Sequence, residues 1–152
     1  AVLACLIFMQ ATLANANEED HLGKITTEDL LANHSEFREE YQNFNPSERD
    51  LRSLQLLQGK DLMVLFGTWC HDSKREVPRL IKLLEKSQVS INSLTLYAVD
   101  RDKTDPAGIA KSFDLRYTPT MIVLEGKQEI ARIIEKPEQS LAIDLANQIS
   151  GH

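Results

Sequence analysis

The sequence predicts an α/β fold: a central mixed β-sheet flanked by helices, with a helical extension at its N-terminal side. Three observations predict it. Leu62 to Phe66 (LMVLF) is a continuous apolar run of strand length, as expected for a strand covered on both faces. Asp72 to Lys86 then turns helical, with Val77, Leu80, Ile81, Leu83 and Leu84 on one side and Lys74, Arg75, Arg79, Lys82 and Glu85 on the other. Thr120–Leu124 and Glu129–Glu135 are two further strand-like runs, joined by Glu125-Gly126-Lys127-Gln128 as an antiparallel hairpin.

The remaining elements fall around these. Ile25 to Phe44 reads as helical, with Thr27 as a cap, Glu28 and Asp29 in the first turn, and His34-Ser35 as a candidate break. Ser47 caps a second helix through Leu57, and Gln58 to Asp61 ends it. Leu94 to Val99 is a strand, Asp100 to Pro106 a polar connection, and Ala107 to Phe113 a short helix. Pro137 starts a last helix that runs to about Ile149. The order is βαβαββα after the leading helices, and no internal repeat interrupts it.

With 152 residues the chain is long enough for one domain and a short extension. A net charge of −6 excludes nucleic acid and anionic membrane surfaces as main partners, because both require clustered Lys and Arg. Residues 1–16 (AVLACLIFMQATLANA) carry no charge. Their apolar run is too short to span a bilayer and ends in Ala14-Asn15-Ala16, a small-x-small pattern. The reading is a secretory signal cleaved before Asn17, followed by the helical extension over 17–58 and the main domain over 59–152. It places the protein in the periplasm or outside the cell, without stable membrane insertion after cleavage. An attached hydrophobic helix is the alternative. The two cysteines are Cys5 and Cys70, so cleavage leaves Cys70 alone in an oxidising compartment.

From about Asp61 to Ile149 the chain resembles the thioredoxin superfamily, and four features carry the resemblance. An apolar strand leads into Trp69-Cys70. Ser73 follows two residues later, where the family has its second cysteine. Pro78 lies where the family's active-site helix carries a kinking proline. Thr118-Pro119-Thr120 precedes the hairpin, where the family places a cis-proline loop. The subgroup it resembles is thioredoxin-like proteins with a monothiol W-C-x-D-S motif. Two departures bear on activity: Ser73 replaces the resolving cysteine and makes the usual dithiol cycle unavailable, and Val64 stands where thioredoxins bury an aspartate that aids proton transfer.

The attacking species in thiol–disulfide exchange is the thiolate. A helix N-terminus favours that anion, through its unpaired N–H groups and its dipole. Lys74 and Arg75 add positive charge beside Cys70, and Asp72 opposes them. The plainer reading of Cys70 is a buried small hydrophobe. Ser73 is expected either to donate a hydrogen bond to the thiolate or to serve as a capping or solvent-facing hydroxyl. His71 is a candidate base or cationic stabiliser, or a surface residue on an exposed turn. Trp69 is expected to cover the thiol and touch substrate, or to pack in the core. The resemblance implies a cis bond before Pro119, so that the backbone of Thr118 pairs with an extended substrate segment. An ordinary trans-proline on an edge strand is the alternative.

The expected activity is an exported thiol–disulfide oxidoreductase working through Cys70 alone. It would be a monomer acting on disulfide- or thiol-bearing proteins, with no cofactor. A monothiol needs an outside thiol, such as glutathione, to release its mixed disulfide. No metal is expected, because one Cys beside one His does not complete a zinc set. The competing expectation is a redox-inactive module that binds extended polypeptides in the same groove.

Overall fold

The computed structural model describes residues 18–151. The expected signal segment and Cys5 lie outside the described residues.

Five strands form one sheet: β1 (Gly23–Ile25), β2 (Asp61–Phe66), β3 (Ser93–Ala98), β4 (Thr120–Glu125) and β5 (Gln128–Ile134), in the spatial order β1-β3-β2-β4-β5. β2 is central. It pairs parallel with β3, from Asp61↔Ser93 to Phe66↔Ala98, and antiparallel with β4. β4 and β5 form the expected antiparallel hairpin. The continuous apolar run in β2 is explained by burial on both faces. Leu62, Val64 and Phe66 point into one core with Leu96, Ala98, Met121 and Val123. Leu65 points into the opposite core with Tyr97, Val99 and Ile122, as the two-residue period of a strand requires.

The first core is roofed by helices α1 (Thr27–Asn33), α2 (Ser35–Asn43), α3 (Glu48–Ser53) with the 3₁₀ turn Leu54–Leu57, α4 (His71–Ser87) and α6 (Leu141–Ser150). Residues of all of them enter it, among them Leu30, Phe37, Leu54, Leu80 and Leu145. The second core is closed by α5 (Ile109–Ser112) and by Trp69. α4 lies along α2, joined by Arg79 Nε to Glu40 at 2.6 Å, Lys82 Nζ to the Tyr41 carbonyl at 2.8 Å, and pairs between Lys74 and Glu36 and between Tyr41 and Glu85.

Four local expectations are corrected. Residues 23–25, read as the end of a loose segment and the start of a helix, form β1, an edge strand antiparallel to Leu96–Ala98 of β3. Three residues are too few to show a period. The α1 cap is Thr26, whose Oγ1 accepts the Asp29 amide at 3.0 Å, not Thr27. Ala107–Phe113 shortens to α5, because Gly108 is left-handed (φ 73°) and the Asp105 carboxylate takes the Ile109 and Ala110 amides at 3.1 and 2.8 Å. Pro137 does not open α6. The Asp144 carboxylate holds the Glu138 and Gln139 amides, and Ser140 is the cap, its Oγ accepting from Ile143. The break expected at His34-Ser35 is present, with α1 ending and α2 beginning there. Among the described residues no helix is long and apolar enough to cross a membrane.

Two predictions follow from the roof. Phe37 is fully buried and meets Phe66, the last residue of β2, edge-on at 5.8 Å. Phe37→Ala should cost about 3–5 kcal/mol in urea unfolding. His34 is 6% exposed and packs against Phe37. Burial holds its imidazole below the ordinary value of 6.5, with the Glu18 carboxylate 3.8 Å away opposing. The unfolded chain therefore takes up this proton first. His34 leaves stability undiminished above about pH 6.5 and lowers it as pH falls from there through the folded value. His34→Asn should flatten that decline in denaturation midpoints measured against pH.

Candidate active site

Cys70 ends the short passage from β2 into α4. Its backbone is extended (φ −87°, ψ 125°), which makes it the N-cap of a 17-residue helix. The Cys70 amide donates to the Gly67 carbonyl at 3.1 Å, and the Lys74 amide donates to the Cys70 carbonyl at 3.0 Å. The residue is half-buried. Its thiol donates to the Thr118 carbonyl at 3.4 Å, across 48 residues of sequence. Thr118 and Pro119 are buried, and the bond between them is cis. The loop is fastened at both ends: Thr120 Oγ1 donates to the Tyr117 carbonyl at 2.7 Å, and the Glu135 amide donates to the Pro119 carbonyl at 2.7 Å.

Trp69 is held on three sides. Its Nε1 donates to the Val99 carbonyl at 3.0 Å, the Lys103 ammonium stands 5.7 Å from its ring centre, and its indole lies over Gly67. A Cβ on Gly67 would come within 2.4 Å of that ring, so no side chain fits there. Trp69 packs against the second core, one of its two expected placements. His71 is the first residue of α4 and is exposed.

Ser73 is placed otherwise than as a thiolate donor. It is fully buried, and its hydroxyl accepts the Gly67 amide at 3.2 Å; no hydrogen bond joins it to Cys70 Sγ. The first turn of α4 aims this side chain back at the strand end, so Ser73 braces the loop that precedes the cysteine. The structure therefore brings together Trp69, Cys70, Thr118 and Pro119, with His71 at the rim and Ser73 beneath.

Tyr117, Ile134 and Glu76 were not foreseen as neighbours. Tyr117 (54% exposed) and Ile134 (49% exposed) flank the Thr118–Pro119 loop, Ile134 being paired with Thr120. Arg75 Nη2 donates to Asp72 at 2.7 Å and its Nε to Glu76 at 2.7 Å. Glu76, then Asp72, keep this guanidinium protonated above its ordinary range, against the effect of burial. Glu76 was legible as a carboxylate on the apolar side of α4, and Ile134 as an apolar residue at an outward strand position. Asp72, described above as an opposing charge, is thus paired. A cleft of about 990 Å³ opens elsewhere, between α1 and β3, and does not include Cys70. Among the described residues no three His, Cys, Asp or Glu side chains cluster as a metal site.

A parallel β2–β3 pair, an antiparallel β4–β5 hairpin, a long helix opening at Trp69-Cys70 and a proline loop facing it decide the architecture. The fold is thioredoxin-like. Similar solved structures include a protein of unknown function from Pseudomonas aeruginosa, with a TM-score of 0.56 and 17% identity, covering 82% of this chain and 84% of that one. An HIV epitope scaffold has a TM-score of 0.53 and 15% identity over 82% of this chain and 85% of its own. Mitochondrial thioredoxin 3 from Saccharomyces cerevisiae, in its oxidised form, is similar at a TM-score of 0.43 and 22% identity, covering 74% of this chain and 99% of that one. No family model matches the chain, and no curated protein matches it in sequence.

Within this thioredoxin-like frame Val64 is fully buried in the first core. Trp69 is the one tryptophan of the chain, so its emission reports on the site directly. Gly67→Ala should drive the indole off its seat, seen as a red shift of tryptophan emission in a chain that still unfolds cooperatively.

Proposed function

We propose that the protein is an exported thiol–disulfide oxidoreductase in which Cys70 alone forms the mixed disulfide. The observation that supports this most is the half-buried Cys70 thiol at the start of α4, touching the Thr118 carbonyl of the proline loop at 3.4 Å. The start of α4 at Cys70 carries the open N–H groups of a helix N-terminus. The same carbonyl belongs to the backbone edge that would hold an extended substrate. Export rests on the sequence pattern of residues 1–16.

In the reaction, the Cys70 thiol first gives up its proton, to water or to His71 at the rim. The thiolate then attacks one sulfur of a substrate disulfide. The Cys70–substrate S–S bond forms as the substrate's own S–S bond breaks. The displaced sulfur leaves as a thiolate and takes a proton. The Cys70 sulfur is oxidised and the departing sulfur reduced, each by one formal electron, and one disulfide is present before and after the step. Ser73 lacks a sulfur with which to expel the substrate. A second thiol, glutathione or one on a partner protein, must attack the substrate sulfur of the mixed disulfide; a disulfide forms between those two sulfurs as the Cys70–substrate bond breaks, and Cys70 leaves as a thiolate and takes a proton. Trp69, Tyr117 and Ile134 offer apolar contact around the attacked sulfur. No cofactor enters this scheme.

A second reading, a binding module without turnover, is favoured by the placement of Ser73 on the Gly67 amide and by the apolar Val64. The two readings separate on covalent chemistry. Incubated with glutathione disulfide, the folded protein should gain one glutathionyl group on Cys70 by mass spectrometry, and Cys70→Ala should gain none. A folded wild-type chain that gains nothing would contradict the oxidoreductase reading. An extended peptide that binds wild type and Cys70→Ala equally, with no adduct, would establish the second.

A further inference from the structure

Glu76 poses a problem in the roof of the fold. Its side chain is nearly fully buried, one oxygen bonds Arg75, and the other has no hydrogen-bond partner. Burying a carboxylate that is only half satisfied is costly, and such groups call for a reason.

The reason lies nearly two turns back, at Cys70. Asp72 stands in the first turn of α4. A carboxylate there is stabilised by the same N–H groups and dipole that favour a thiolate at Cys70. Two anions sharing one helix end disfavour each other. Asp72 left unpaired would therefore slow formation of the attacking thiolate. The nearby cations are divided up. Lys74 pairs with Glu36 of α2, and Arg79 pairs with Glu40 of α2. His71 is exposed, and the proline loop facing the thiol presents the Thr118 carbonyl. That leaves Arg75, which reaches Asp72 through Nη2 at 2.7 Å while its Nε is held by Glu76 at 2.7 Å. An arginine on an exposed helix face samples many rotamers and gains little from one carboxylate. Gripped at Nε, this guanidinium has its Nη2 fixed on Asp72, as its fork geometry allows.

We propose that Arg75, anchored by the buried Glu76, is a positioning residue that cancels the charge of Asp72 and so keeps the helix end available to the Cys70 thiolate. This rests on the reading of Cys70 as the nucleophile. Arg75 touches no reacting atom; it acts through Asp72.

The test is the rate of Cys70 alkylation by iodoacetamide, which reacts with the thiolate, at low ionic strength and about pH 6.5. It is read at Cys70 by peptide mass spectrometry, since Cys5 is also a thiol in any chain that keeps it, with circular dichroism showing that each variant is folded. Arg75→Gln should slow alkylation by about three- to tenfold, the scale of one uncompensated charge near the surface. Adding Asp72→Asn to the same chain should bring the rate back to within about twofold of wild type, since the carboxylate in the first turn of α4 is then gone and the Glu76 carboxylate that remains lies nearly two turns from Cys70. Arg75→Lys should fall between, keeping the charge but not the fork. Glu76→Leu, which fills the space and removes the anchor, should slow the reaction less than Arg75→Gln and be restored by Asp72→Asn. An unchanged rate in Arg75→Gln overturns the proposal. So does a loss that Asp72→Asn does not recover, because a merely structural arginine would produce that. A folded wild-type chain whose Cys70 is inert to iodoacetamide removes the nucleophile reading itself, and this proposal with it.

Discussion

One contact organises the candidate site: the Cys70 thiol against the Thr118 carbonyl, 3.4 Å apart and 48 residues apart in sequence. It exists because two independent pieces of chain end at the same place. β2 runs through the middle of the sheet and delivers Gly67 to Cys70 at its C-terminal edge. β4, antiparallel beside it, begins at that edge, so the loop before β4 lies opposite the helix that follows β2. The register Leu65↔Thr120 fixes this meeting. A one-residue slip would turn every side chain of β4 to the wrong core and carry Thr118 away from the sulfur.

Around that contact the fold supplies stiffness from both sides of the sheet. Beneath it, Phe66 is locked by Phe37, and Ser73 ties the first turn of α4 to the amide of Gly67. Above it, Trp69 is seated on Gly67 and tied to Val99. The N-terminal extension is part of this support. The His21 amide donates to Thr68 Oγ1 at 3.0 Å, which fastens the segment before β1 to the loop that carries the cysteine. α2 braces α4 through Glu36, Glu40 and Tyr41. The extension thus reaches the site through the helix and the loop, without supplying a side chain to the sulfur.

Much of this was legible in the sequence where the signal is periodic. The double-sided burial of β2 shows as an unbroken apolar run, and the amphipathic stripe of α4 and the hairpin at Gly126 show as plainly. β1 did not show, since Gly23-Lys24-Ile25 is too short for a two-residue period to repeat. The openings of α5 and α6 were set by carboxylates reaching back to amides, Asp105 and Asp144, and such capping depends on backbone paths that sequence spacing does not record. At the site, Trp69, Cys70, Thr118 and Pro119 were readable from their order. The direction of the Ser73 hydroxyl was not, because one helical turn offers it either the sulfur or the Gly67 amide, and the buried strand end wins. The pairing of Asp72 with Arg75 was hidden for a similar reason. Spacing of three allows the pair, but the spacing does not show that the same guanidinium also bonds the buried Glu76.

The central claim is that the Cys70 sulfur and the Thr118 backbone together form the place where a substrate's sulfur and backbone are held. The most direct measurement is a crystal structure of the protein with a short cysteine-containing peptide trapped as a mixed disulfide on Cys70. The account predicts that the peptide runs extended past Pro119, with its backbone hydrogen-bonded to Thr118 and apolar side chains against Trp69 or Tyr117. A peptide joined to Cys70 but directed away from Thr118, with the proline loop untouched, would contradict it.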